Sequence, residues 1–333
     1  MTITAETPKL KAPRMSLADN PWVRFGLRRA GRLVVSVWVL VTAAFLMIHV
    51  LPGDPVRAAL GPTAPVALIE QRREALGFND PLWLQYAHYL RNLLTGDLGV
   101  SMTSGLPVQE VISARLGSTV EMALLAFAVA VVVSVPLGLL MAVLAGNGRG
   151  RGGDWALTSA GVVVATIPEF LMAVGLVFVF SVQLGWFPVA GRSGPDSYVL
   201  PVLSLAIGPA FMLARIVRVE LLAVLQTDYI RTARAKRLRA GAIYLRHALP
   251  NALTATLTIG GLLLGALVAG TVLIENIFAW PGLGGTIVQS ILAKDYPAVQ
   301  GVVLVYGVGV LLINLVVDVA LAVLDPRSAI RES

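Results

Sequence analysis

The sequence predicts an all-α, polytopic membrane protein with six transmembrane helices and both termini in the cytoplasm, on three observations. Of its 333 residues, 56% are hydrophobic and 14% charged, with a mean hydropathy of +0.79, whereas a soluble domain carries about 25% charged residues. Six segments reach or approach the ~20 apolar residues that a helix needs to cross a hydrocarbon layer about 30 Å thick. The Lys and Arg residues then fall mainly on one side of those crossings, the side that the positive-inside rule makes cytoplasmic.

Residues 1–32 read as a cytoplasmic N-terminal tail, disordered over roughly the first 20 residues. The first span is Leu33 to Leu51, preceded by Arg24, Arg28, Arg29 and Arg32. That basic flank looks like the start of a signal peptide, but the apolar run is too long and no small-residue cleavage pattern follows at "LPGDP", so an uncleaved anchor is expected. Residues 52–117 form a long extracytoplasmic segment, and residues 118–325 the core that holds the remaining spans. Met122 to Ala145, Asn251 to Ile274 and Tyr296 to Val317 contain no Lys, Arg, Asp or Glu. Two spans are less clean: Trp155 to Gln183 carries Glu169 beside Pro168, and Tyr198 to Ala214 is short and runs into Arg215 and Arg218. Residues 326–333 are a cytoplasmic C-terminal tail.

With this topology, 19 of the 26 Lys and Arg lie on the inner side. The net charge of +7 would suit nucleic acid, but apolar runs interrupt the basic residues, so topology accounts for it and no nucleic-acid partner is expected. The absence of Cys removes disulfides, thiolate metal sites and Cys nucleophiles together. No internal repeat is visible, which argues against an inverted-repeat secondary transporter.

The inner loop at 228–250 opens the stretch "DYIRTARAKRLRAGAIYLRHALPNAL", with six Lys or Arg and one Asp in an otherwise apolar chain. At about 100° per residue, Arg231, Arg234, Lys236 and Arg237 scatter around a helix, which disfavours a helix lying on anionic lipid. Gly241 is expected to break a continuous helix and Pro250 to begin the next span, where its missing N–H costs nothing. Two short helices projecting into the cytoplasm suit either docking in a partner's groove or a solvated loop.

Polar groups inside membrane helices are costly and face the bundle interior, a water path or a partner. Glu169, Asn314 and Asp318 are the candidates for a translocation path, with pairing to Arg327 as the plainer reading of Asp318. Catalytic patterns fail. Lys9, Lys11, Lys236 and Lys294 follow Pro, Leu, Ala and Ala, so no Walker A loop with its Gly-Lys is present. "GRGRGG" at Gly148 to Gly153 lacks the strand that a dinucleotide fingerprint follows. His49, His88 and His247 lie on separate segments without zinc-like spacing. Neither a catalytic nor a metal site is expected.

The inner loop resembles the EAA loop of binding-protein-dependent ABC transporter permeases. The family's Glu-Ala-Ala falls on "RTA" at Arg231, Thr232 and Ala233, and its distant Leu-Pro on Leu249 and Pro250; Arg237 stands where the family has Gly. Further segments resemble the dipeptide and oligopeptide permeases of the DppB/OppB type. They are "LPGDP" with Gly53, Asp54 and Pro55, "GFNDPLWLQYAHYL", "GDLGVS" with Gly96 and Asp97, "IPEF" and "LGWFPVAG". "ENIFAWPGLG" with Glu275, Pro281, Gly282 and Gly284, "KDYPAVQG" with Asp295 and Pro297, and "DPR" with Asp325 complete the series. By residue chemistry, Gly53, Pro55, Pro281, Gly282 and Gly284 read as turn formers at helix ends rather than ligand contacts.

The resemblance implies the type I ABC importer permease fold and inward transport of dipeptides or oligopeptides across the plasma membrane. It implies a non-catalytic subunit that binds no cofactor, with a second homologous permease, two ATPase subunits using ATP and Mg, an extracytoplasmic substrate-binding protein and membrane lipids as partners. Asp228, Arg231, Thr232, Ala233, Arg234, Arg237, Gly241, Leu249 and Pro250 become the ATPase-coupling loop. Nickel or another small solute fits the same architecture. An ion-coupled secondary transporter using Glu169 is the alternative from another class.

Overall fold

The computed structural model describes residues 21–50, 55–61, 63–75, 77–146 and 151–324. Gly53, Asp54, Asp325, Arg327, most of the N-terminal tail and much of the "GRGRGG" string lie outside them. The described chain is mainly helical, with a single bridge between Val100 and Pro107 as its β-type pairing among those residues. The helices are α1 (Pro21–Val50), α2 (Pro55–Leu60), α3 (Val66–Ala75), α4 (Leu82–Leu94), α5 (Val108–Gly146), α6 (Arg151–Thr166) and α7 (Glu169–Leu176). They continue with α8 (Val199–Val224), α9 (Asp228–Ala235), α10 (Ala240–Ala242), α11 (Leu249–Ile277), α12 (Leu283–Leu292) and α13 (Tyr296–Leu324).

Five of these are long and apolar enough to cross a membrane, and the α6–α7 pair adds a sixth crossing if it is one span. The sequence predicts a continuous helix there; the chain instead bends by 101° between the two halves. Pro168 is the reason. It has no N–H to continue the ladder, and it drives the preceding residue out of the helical region. After α7 the helix widens into a π-helical stretch over Val177–Gln183.

Two other boundaries move outward. α5 is 39 residues long, about 58 Å at 1.5 Å per residue, and begins well before Met122. Its first turns bury Val108 and Ile112 against Leu283, Ala298 and Val302, so packing outside the apolar run extends the helix. α8 runs on past Arg215 to Val224, because Arg218 does not remain a bare charge: its Nε and Nη2 donate to the two carboxylate oxygens of Asp154 of α6, each at 2.6 Å.

The centre of the bundle is α5 against α8. Ser134, Gly138, Met141 and Ala142 of α5 are buried, a spacing that puts them on one face. Gly138 permits the contact: a Cβ there would sit 2.5 Å from the Ala214 carbonyl oxygen and 2.6 Å from Val217 Cβ. Met122, Ala126 and Ala130 of α5, Leu205 and Ala210 of α8, and Leu267 and Ile274 of α11 form the main core.

α1 lies at the edge, packed on α13, and leaves Val34, Val35, Trp38 and Val39 exposed. Arg29 near the start of α1 pairs with Asp318 near the end of α13, while the Gln300 side-chain amide near the start of α13 donates to the Ala44 carbonyl at 3.1 Å. The two helices are therefore antiparallel. α11 also runs opposite to α13, with Gly261 against Val317 and Gly265 against Asn314, whose Oδ1 would lie 3.1 Å from a Cβ at that glycine. One end of the bundle thus gathers the start of α1, the end of α13 and the 228–250 loop; the other gathers α12 and the segment before α5.

Candidate functional site

The loop at 228–250 holds one separate short helix, α9, where two were expected: from Ala240 the chain is continuously helical into α11, and the break before it lies elsewhere than at Gly241. α9 ends at Ala235, and the chain turns through Lys236 to Arg239 before α10 begins. Gly241, the expected breaker, sits inside α10. The breaker is Arg237, whose φ is +54°. Its N–H donates to the Arg234 carbonyl at 2.9 Å and that of Leu238 to the Ala233 carbonyl at 3.3 Å, the pair of bonds that closes a helix around a left-handed residue, usually Gly. The sequence departs from Gly here while the backbone keeps the conformation that favours Gly. α11 and α12 close in the same way on Ala279 (φ +46°) and Lys294 (φ +57°).

A left-handed L-residue costs roughly 1–2 kcal/mol, part of which a Gly loses again in chain entropy. Arg237→Gly is therefore expected to raise stability by up to about 1 kcal/mol and keep the loop's shape, whereas Arg237→Ile lowers it; thermal unfolding of the solubilised chain measures both.

The basic residues do not surround one helix, because Lys236 and Arg237 lie on the turn. α9 has a clear buried face, Ile230 and Ala233, set against Val217, Leu221 and Leu225 of the α8 end and Ile243 and Ala248 beyond the turn. Asp228, Arg231, Thr232, Arg234, Lys236, Arg237 and Arg239 are exposed, with Leu238 and Leu245 among them. Arg231 meets Asp228 at 3.2 Å with both side chains open to solvent, a contact worth little by itself. From α10 the chain enters α11 through a π-helical stretch, Ile243–Ala248, with Leu249 and Pro250 at the first positions of α11. The widened turn accommodates the N–H that Pro250 lacks.

The proposed path residues do not form one cluster. Glu169 heads α7 and its carboxylate points inward, 2.6 Å from where a Cβ on Gly270 would lie; no donor among the described residues bonds to it. Asn314 packs on Gly265 of α11. Asp318 pairs with Arg29; Arg327, the partner that the sequence suggested, lies outside the described residues.

The motif residues come together at the opposite end. Asp295 is buried, accepting from Ser101 Oγ at 2.5 Å, Met102 N at 3.0 Å and Thr103 N at 3.1 Å, so "KDYP" holds "GDLGVS". Within the latter, Asp97 accepts from Gly99 N at 2.8 Å, Gly96 has φ +78°, and Pro297 packs on Gly99. Glu275 is fully buried and its Oε2 accepts from Gly284 N at 2.5 Å, at the first turn of α12, where a carboxylate suits the positive helix end. Pro281 and Gly282 make the turn into α12. Gly284 lets α12 approach α11, since a Cβ would lie 2.5 Å from Val272 Cα.

Asp154, Arg115 and Arg192 went unmarked in the sequence. Asp154 had one legible signal, a lone acid beside a basic inner stretch, but its partner Arg218 is 64 residues away. Arg192 reaches Tyr198, Ser118 and Glu121 at 2.7, 3.1 and 2.8 Å.

A bundle of membrane-length helices that carries an exposed basic loop on one end and locks an extended segment on the other is the frame of a transport permease. The chain belongs to the family of binding-protein-dependent transport system inner-membrane components, which matches residues 134–330, with its N-terminal component family matching residues 22–123. It is 37% identical over 304 residues to the glutathione transport system permease protein GsiC of Escherichia coli O6:H1, covering 91% of this chain and 98% of that one. The corresponding protein of Pectobacterium atrosepticum is 38% identical over the same coverage. In fold, the chain resembles one from an inward-facing structure of the MetNI methionine ABC transporter, with a TM-score of 0.51 and 20% identity over 65% of this chain and 97% of that chain. It is a multi-pass inner-membrane permease subunit of an ABC importer, and not a catalytic one.

Proposed function

We propose that this chain is one of two homologous permeases in an importer of short peptides, with the 228–250 loop at the cytoplasmic end seated on an ATPase subunit. In this reading both termini are cytoplasmic, two ATPases use ATP and Mg, and residues 52–117 with the start of α5 receive a substrate-binding protein outside. The construction of the loop carries the proposal. Ile230 and Ala233 fasten α9 to the α8 end, while six basic side chains stand exposed beside Leu238 and Leu245. A rigidly anchored, basic and partly apolar projection passes a partner's movement directly into α8 and α11. The relatives' names, glutathione transport permeases, support a short-peptide substrate.

Replacing Arg231, Arg234 and Arg237 together with Ala tests the coupling role. Insertion should be unchanged, while recovery of the ATPase with the complex falls about tenfold, ~1.4 kcal/mol, and uptake falls with it. Normal uptake and normal recovery would sink the assignment. Uptake of nickel in place of peptides by the reconstituted complex would redirect the substrate reading within the same architecture.

A further inference from the structure

A cleft of about 600 Å³ opens beside the α11–α12 junction, lined by Arg115, Arg192, Glu275, Asn276, Trp280 and Gln289. Its charges are not balanced. Arg192 already holds Glu121 at 2.8 Å and lies 5.6 Å from the centre of the Trp280 ring. Glu275 is enclosed, its carboxylate turned to the N-terminus of α12, where the helix end offsets it. Arg115 is different: it donates to the neutral Thr286 hydroxyl at 2.9 Å, and no carboxylate among the described residues pairs with it. A guanidinium has five donors in a planar fork that matches a carboxylate, so one bond to a hydroxyl leaves most of that capacity unused.

Resting on the short-peptide reading above, we infer that this cleft is a subsite for the free C-terminal carboxylate of the transported peptide, received by Arg115. Gln289 supplies a neutral amide partner for the peptide's backbone, and Asn276, whose Nδ2 already donates to the Val272 and Gly284 carbonyls, supplies an acceptor oxygen. The cleft lies at the end of the bundle opposite the basic loop, the end that the proposed topology turns outward. A cation placed there draws the anionic end of the peptide in first and orients it.

The complete importer, reconstituted in vesicles with its binding protein, decides the matter with trialanine and trialanine amide as probes. Arg115→Gln is expected to lower the ratio of acid to amide uptake about tenfold, as loss of a charge-assisted bond predicts. Arg115→Lys retains most of the ratio. Thr286→Val, which removes the hydroxyl bond but keeps the cation, leaves it unchanged. An unaltered ratio in Arg115→Gln, or an equal loss in Thr286→Val, overturns the subsite while peptide import itself stands. A wild-type importer that moves neither probe overturns the peptide reading and the subsite with it.

Discussion

Asp154→Ala should destabilise the protein by about 1–3 kcal/mol, the cost of leaving a part-buried charged donor without its hydrogen-bond partner. Asp154 accepts from Nε and Nη2 of Arg218, each at 2.6 Å, and the two side chains are 11% and 21% exposed. The pair joins the start of α6 to α8, three residues before the Leu221 that packs on α9. Removing the acid strands a guanidinium in the bundle; removing Arg218 strands the carboxylate. The double replacement Asp154→Leu with Arg218→Met should cost markedly less than the sum of the single losses, since apolar side chains can substitute for such a pair. Thermal unfolding of the solubilised single and double variants measures the difference, and strict additivity would show that the pair does not act as a unit. Uptake should fall with the single variants even at temperatures where they remain folded, because α8 is the helix to which the basic loop is fastened.

Gly138→Leu is expected to prevent α5 and α8 from meeting at all. The obstacle is backbone: a Cβ would lie 2.5 Å from the Ala214 carbonyl oxygen, and Val217 leaves no side route at 2.6 Å. Even Gly138→Ala forces the helices apart, at a cost of about 1–3 kcal/mol for overpacking. Leu adds three carbons in the same place and should abolish the monodisperse peak in size-exclusion chromatography, with Gly138→Ala intermediate. A stable Gly138→Leu protein would mean that the contact between these two helices is not the centre of the bundle.

The apolar runs were legible because membrane length and composition constrain each helix by itself. Leu33 to Leu51, Met122 to Ala145, Asn251 to Ile274 and Tyr296 to Val317 all lie in or along observed helices. Their ends were not, since ends depend on neighbours: Val108 and Ile112 extend α5 because Leu283 and Val302 lie beside them. The break at Pro168 left a visible mark in the sequence, but the 101° bend that follows depends on how the two halves pack. In the loop, residue type misled at two positions. Gly241 looked like the breaker and is helical, while Arg237 looked unsuited to the turn and occupies it with φ +54°. The bonds that close α9 hold the left-handed residue in place whatever side chain it carries.

That this is a helical membrane protein of this permease family could be read along the chain, because hydropathy and ordered motifs are properties of successive residues. Which charges find partners emerges from the packed helices alone. Asp318 has Arg29, Asp154 has Arg218 and Asp295 has the Ser101 loop, whereas Arg115 has, among the described residues, a hydroxyl and no carboxylate. Each of these partners is more than sixty positions away. An electrostatic interaction depends on distance in space, and in a bundle of antiparallel helices that distance bears no relation to separation along the chain.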